Sequence, residues 1–70
     1  MKKTYILLDE LNGELLDPQV FYTLEETEIA YLEMVNEQME TDFKTYKQAN
    51  DFMQDTYLED RNYMIHFWIL

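Results

Sequence analysis

"KTYILLDELNGELLDPQVFY", residues 3–22, decides how this chain is read. Residues 3–11 carry the apolar run Tyr5-Ile6-Leu7-Leu8 and read as a strand. Asn12-Gly13 follows. Both residues tolerate the positive φ of a type I′ turn, so the pair predicts a two-residue hairpin. Residues 14–22 then return as a second strand. Pro18 lacks an N–H, which places that strand at a sheet edge or breaks it there. The first strand is then central, and Ile6-Leu7-Leu8 suits burial on both of its faces.

Beyond the hairpin, Thr23-Leu24-Glu25-Glu26 has the pattern of a capping box, with the Thr23 hydroxyl taking a backbone N–H and Glu26 reaching back. A first helix is expected from there to about Asp42. At about 100° per residue, Leu24, Tyr31, Leu32, Val35 and Met39 form its apolar stripe. A short link near Phe43-Lys44 leads into a second helix within residues 44–60, with Thr45 as N-cap and Tyr46, Ala49, Phe52, Met53 and Tyr57 on one side. Residues 62–70, "NYMIHFWIL", close the chain as a strand. The order is ββααβ, one α+β domain over residues 1–70. The simplest packing lays two helices on one face of a three-stranded sheet of order 2-1-3. After two helices the last strand is expected parallel to the first.

With 47% hydrophobic and 16% aromatic residues, the chain is too rich in core-forming side chains for a disordered acidic tail. Its apolar runs are shorter than a membrane span or a signal-peptide core, so a cytoplasmic, unprocessed protein with no membrane partner is expected. There is no cysteine, which removes disulfides, thiolate nucleophiles and Cys-type zinc sites.

Catalytic chemistry has little to work with. Serine is also absent, and one glycine cannot build a Gly-rich phosphate loop. His66, the single histidine, has no other His or Cys to share a metal with. "DELNGELLD" sets acids around a glycine but misses the calcium-loop pattern. The expectation is a protein that is not an enzyme, with no cofactor, no metal and no catalytic residues.

Charge is the dominant property. Fifteen acids against five bases give a formal net charge of −10. No lysine or arginine occurs from Thr4 to Phe43. Such a field repels nucleic acid and anionic membrane, so no direct nucleic-acid binding is expected, and it attracts basic surfaces. On the first helix, Glu40, Glu33, Glu26 and Glu37 fall at about 160°, 180°, 200° and 220° from Leu24, a narrow stripe opposite the apolar one. Like charges at i,i+4, as at Glu33 and Glu37, cost a few tenths of a kcal/mol, and a helix tuned for stability alone would mix signs. Glu28 falls inside the apolar stripe, near the helix N-terminus, where the dipole favours an anion. Asp51 and Asp55 lie one turn apart on the outer face of the second helix, with Lys47 placed to pair with Asp51.

The last strand is apolar on both sides: Tyr63, Ile65, Phe67 and Ile69 alternate with Met64, His66, Trp68 and Leu70. The Trp68 set contains the polar His66 and is expected to face away from the helices. Uncovered, it would form an unusual apolar patch, unless the hairpin folds over it.

These readings converge on a small acidic protein that occupies the basic groove of a nucleic-acid-binding protein and inhibits it by charge mimicry. The residues expected to meet the partner are Glu26, Glu33, Glu37, Glu40, Asp51, Asp55 and Trp68. In kind rather than by motif, such a protein is similar to the DNA-mimic inhibitors that phages and mobile elements use against nucleases, CRISPR effectors, restriction enzymes and repair enzymes. Two alternatives remain. One is a homo-oligomeric structural or adaptor module, dimerising through its apolar sheet face. The other is an acidic antitoxin.

Overall fold

The computed structural model describes residues 3–55 and 62–70; the Asp55 side chain lies outside them. The elements are β1 (Tyr5–Leu11), β2 (Glu14–Leu15), β3 (Gln19–Phe21), α1 (Leu24–Met39), α2 (Tyr46–Asp55) and β4 (Tyr63–Ile69). They form an α+β domain with an antiparallel sheet on one side and both helices on the other.

The hairpin closes as its turn residues dictate. Asn12 has φ 54° and Gly13 φ 84°, and Leu11 pairs with Glu14 and Glu10 with Leu15. Pro18 then does both things open to it. The return strand lies at the sheet edge, and it is broken into β2 and β3, so the sheet has four strands rather than three. Pairing resumes with Leu7 opposite Gln19, Ile6 opposite Val20 and Tyr5 opposite Phe21. Between the two paired runs, Leu8 and Asp9 face three residues, Leu16, Asp17 and Pro18. This is a one-residue bulge, held by the Leu16 N–H donating to the Asp9 carbonyl at 2.8 Å. Because a one-residue slip exchanges the two faces of a strand, the bulge turns Phe21 toward the helices and Val20 away from them.

β1 is central, as expected, with β4 along its other side. The direction of β4 corrects the sequence reading. It runs antiparallel to β1, Tyr5 opposite Ile69 and Leu11 opposite Tyr63. The parallel arrangement assumed that both helices span the sheet. α1, of sixteen residues, is about 24 Å long, but α2, of ten, reaches only about 15 Å and packs mainly against α1. The chain enters β4 at the hairpin-turn end, where the Asn12 N–H donates to the Asn62 carbonyl at 2.7 Å.

Odd-numbered residues of β1 and β4 face the helices. Leu7, Tyr31, Val35, Ala49, Met53 and Tyr63 form the buried core, bordered by Phe21, Leu32, Ile65 and Phe67. Tyr31 meets Tyr46 edge-on, with ring centroids 5.0 Å apart, a favoured aromatic geometry. Asp9 is also on this face and buried; its carboxylate accepts the Tyr63 hydroxyl at 3.2 Å.

Thr23 caps α1, its hydroxyl accepting the Glu26 N–H at 3.1 Å. The buried line of α1 runs through Thr27, Tyr31 and Val35. Leu24, placed in the apolar stripe by periodicity, is 45% exposed, because the line passes through Thr27 instead. Thr27 can be buried since its hydroxyl donates to the Thr23 carbonyl at 2.7 Å. α1 also stops at Met39, earlier than the expected Asp42. Glu40 adopts the left-handed conformation, φ 55°, and its N–H returns to the Asn36 carbonyl. The Asn36 side chain then holds the link to α2. Its Oδ1 accepts the Thr41 hydroxyl and the Phe43 N–H, each at 2.9 Å, and its Nδ2 donates to the Phe43 carbonyl at 3.0 Å. Thr45 caps α2 by accepting the Gln48 N–H, and Gln48 Oε1 accepts the N–H groups of Lys44 and Thr45, a capping box closed from both sides. Tyr57 lies outside the described residues.

Candidate partner-binding surfaces

Two surfaces carry the residues expected to meet a partner, and the sheet separates them. The first is the outer face of α1. With Thr27, Tyr31 and Val35 turned to the core, the helical repeat places Glu26, Glu33 and Glu37 on the opposite side; Glu40 follows as the left-handed C-cap, off that repeat, and all four are exposed. Along the axis the three helical glutamates are about 10 and 6 Å apart. Among the described residues none of them forms an ion pair, while Lys44 is engaged with Asp42 at 3.1 Å and Lys47 with Asp51 at 2.9 Å. The α1 carboxylates are thus uncompensated by the lysines of the link and of α2.

Ile29 was not among the expected partner residues. It is 51% exposed and lies three residues after Glu26 and four before Glu33, hence beside both on the helix surface. An isoleucine about 140° from Leu24, far from the apolar stripe, was the signal in the sequence. It adds an apolar point to an otherwise anionic stripe.

Asp51 is on the outer side of α2 but is half of an i,i+4 ion pair. The Lys47 ammonium is held above its ordinary pKa by the hydrogen bond to Asp51 and then by that carboxylate's charge. Asp51 therefore offers a partner less free charge than the α1 glutamates do. Asp55 ends α2; its side chain, like Glu59 and Asp60, lies outside the described residues. Glu28 is half-buried beside Tyr46, whose hydroxyl is pushed up in pKa first by burial and then by the Glu28 charge.

The second surface is the sheet face away from the helices. The register puts Ile6, Leu8, Glu10, Leu15, Val20, Met64, His66 and Trp68 on it, so Trp68 and its neighbours face outward, as their alternation predicts. Leu15 is 62%, Val20 49% and Trp68 46% exposed. The hairpin stays in the sheet plane and does not fold over this face. Trp68 stacks on the His66 ring, centroids 5.6 Å apart and planes 11° from parallel, and His66 Nε2 is 3.2 Å from a Glu10 carboxylate oxygen. Trp68 and the glutamate stripe are on opposite sides of the domain, so one flat partner surface cannot touch both.

Among the described residues no three His, Asp or Glu side chains converge as a metal site would require, and no helix is long and apolar enough to cross a membrane. No known protein family, curated protein or solved structure matches this chain.

Proposed function

We propose that this protein is a non-enzymatic inhibitor that fills the nucleic-acid-binding groove of a basic protein, its α1 glutamates standing in for phosphates. The observation carrying this reading is the row of Glu26, Glu33 and Glu37, exposed on one helix face with Glu40 exposed at its C-cap, and free of ion pairs with the described lysines. A nucleic-acid strand presents negative charges at comparable intervals of a few ångströms. A carboxylate row on a rigid helix offers a groove similar charge without the entropy of ordering a flexible strand. The setting that fits best is anti-defence, in a phage or mobile element and in the cytoplasm, where nucleases, restriction enzymes and CRISPR effectors present such grooves. An antitoxin against a basic toxin would use the same surface and differ only in its target.

The test is displacement of a labelled oligonucleotide from a panel of such basic proteins, followed by fluorescence anisotropy at rising salt. Charge mimicry gives stoichiometric displacement that weakens steeply with salt and is lost in the Glu33→Lys, Glu37→Lys double variant. Displacement that ignores both would overturn the reading. It would favour the second one, an adaptor working through the outer sheet face, which draws on the exposure of Leu15, Val20 and Trp68.

A further inference from the structure

We infer that β4 is a self-pairing edge and that two copies of the chain join through it into one continuous antiparallel sheet. The two sides of the sheet are treated differently. On the hairpin side the edge is short, bulged and guarded by Asp17 and Pro18, the devices that keep an edge from recruiting another strand. The β4 side has none of them. It is seven residues long and unbulged, and among the described residues it pairs only with β1. Residues 62–70 contain no Asp, Glu, Lys or Arg, the longest such stretch in a chain of net charge −10.

The backbone hydrogen bonds fix which groups the edge offers. Leu70 exchanges both of its bonds with Thr4, and the Asn62 carbonyl accepts from Asn12. Even-numbered residues of β4 therefore turn their N–H and C=O toward β1. By antiparallel alternation Tyr63, Ile65, Phe67 and Ile69 turn theirs outward.

Tyr63 is 3% exposed, so the groups open to a partner are those of Ile65, Phe67 and Ile69, and these three select a register. Antiparallel self-pairing centred on Phe67 sets Ile65 against Ile69 of the second copy and Phe67 against Phe67 of the second copy. Every open group from Ile65 to Ile69 is then bonded. Centring on Ile65 leaves Ile69 unpaired, and centring on His66 sets Ile69 against the covered Tyr63. The same register places His66 beside Trp68 of the second copy, an aromatic neighbour, and no carboxylate side chain enters the ladder. A second copy is the occupant because its strand is complementary in length, register and side chains. An acidic chain can also bring its one uncharged strand to itself with the least repulsion. The twofold axis of such a seam is perpendicular to the sheet, so both α1 stripes face the same way.

Sedimentation of the full chain across concentration tests this in moderate salt, which screens the repulsion between copies. The expected result is a species of twice the 8.6 kDa chain mass, favoured by added salt. Ile69→Pro removes an outward N–H from a residue that is 55% exposed; it is expected to give a monomer with unchanged circular dichroism. Should that variant fail to fold, hydrogen exchange on the parent decides. The Ile65 and Phe67 amides are expected to gain protection as concentration rises. A parent that stays monomeric, an Ile69→Pro dimer, or Ile65 and Phe67 amides that exchange freely in a dimeric sample would each overturn the inference. Because salt strengthens this contact and weakens charge mimicry, the two proposals fail independently.

Discussion

The Tyr63 hydroxyl donates to the buried Asp9 carboxylate across 3.2 Å, joining the first residue of β4 to the middle of β1 on the helix-covered face. Burial, and then the negative charge of Asp9, push the Tyr63 hydroxyl above its ordinary pKa. An unfolded tyrosine titrates near 10. Above that pH the unfolded chain loses a proton that the folded chain keeps, so stability falls as pH rises further. Below it the contribution is fully present. Urea titrations at about pH 8 and pH 10.5 should show this loss in the parent and a smaller one in Tyr63→Phe. At pH 8 the variant should be less stable by about 1–3 kcal/mol, because a buried carboxylate loses its donor. An equal alkaline loss in both proteins would remove Tyr63 from the account.

Asn36 supplies both amide ends to the α1–α2 link. Asn36→Ala removes three hydrogen bonds and should cost about 2 kcal/mol at roughly 0.5–1.5 per bond. Asn36→Asp keeps the acceptor but loses the donor to Phe43, and should fall between. Chemical denaturation of the three proteins would show the order parent, Asp, Ala. An alanine variant as stable as the parent would mean that water replaces the amide without loss.

Glu33 and Glu37 are exposed and one turn apart. Reversing both to lysine should leave the fold intact within about 0.5 kcal/mol, with a slight gain from the relieved repulsion. Thermal melts followed by circular dichroism check the fold, and the displacement assay checks binding, which should be lost. A folded variant that still displaces the oligonucleotide would reduce the stripe to a solvated helix face.

Trp68 is nearly half exposed on the outer sheet face. Trp68→Ala should therefore cost about 1–2 kcal/mol rather than the roughly 3–5 of a core tryptophan, and leave a folded domain. Urea unfolding followed by far-UV circular dichroism measures it. A core-sized loss would mean that Trp68 packs against more than His66.

Much of this architecture can be read from local chemistry. Asn12-Gly13 sets the hairpin, Pro18 breaks its return strand, Thr23 and Thr45 begin the helices, and alternation in residues 62–70 sorts inward from outward side chains. The missed features depend on partners distant in sequence. The direction of β4 is fixed by its pairing with β1, Tyr5 opposite Ile69 and Leu11 opposite Tyr63, which the apolar spacing of either strand does not report. Asp9 and Thr27 look like surface residues by type. They are buried because Tyr63 and the Thr23 carbonyl satisfy them, and hydropathy does not record such bonds. Within α1 the glutamate stripe needs only the 100° repeat, which places Glu26, Glu33 and Glu37; Glu40 falls at the left-handed C-cap, which the repeat does not foresee.

The β1–β4 ladder has a kinetic consequence. Tyr5 pairs with Ile69 and Leu11 with Tyr63, so the central strand acquires its second neighbour only when nearly the whole chain closes on itself. The Asn12-Gly13 hairpin can form in about 1–10 μs, whereas ladders between such distant segments are the slow part of folding. Until the ladder closes, Ile6-Leu7-Leu8 lies along an unpaired edge, the kind of segment through which nascent chains clump. Mutual repulsion among chains of charge −10 holds them apart over that interval. The same acidity that carries the proposed binding thus protects the polypeptide before it has a shape to present.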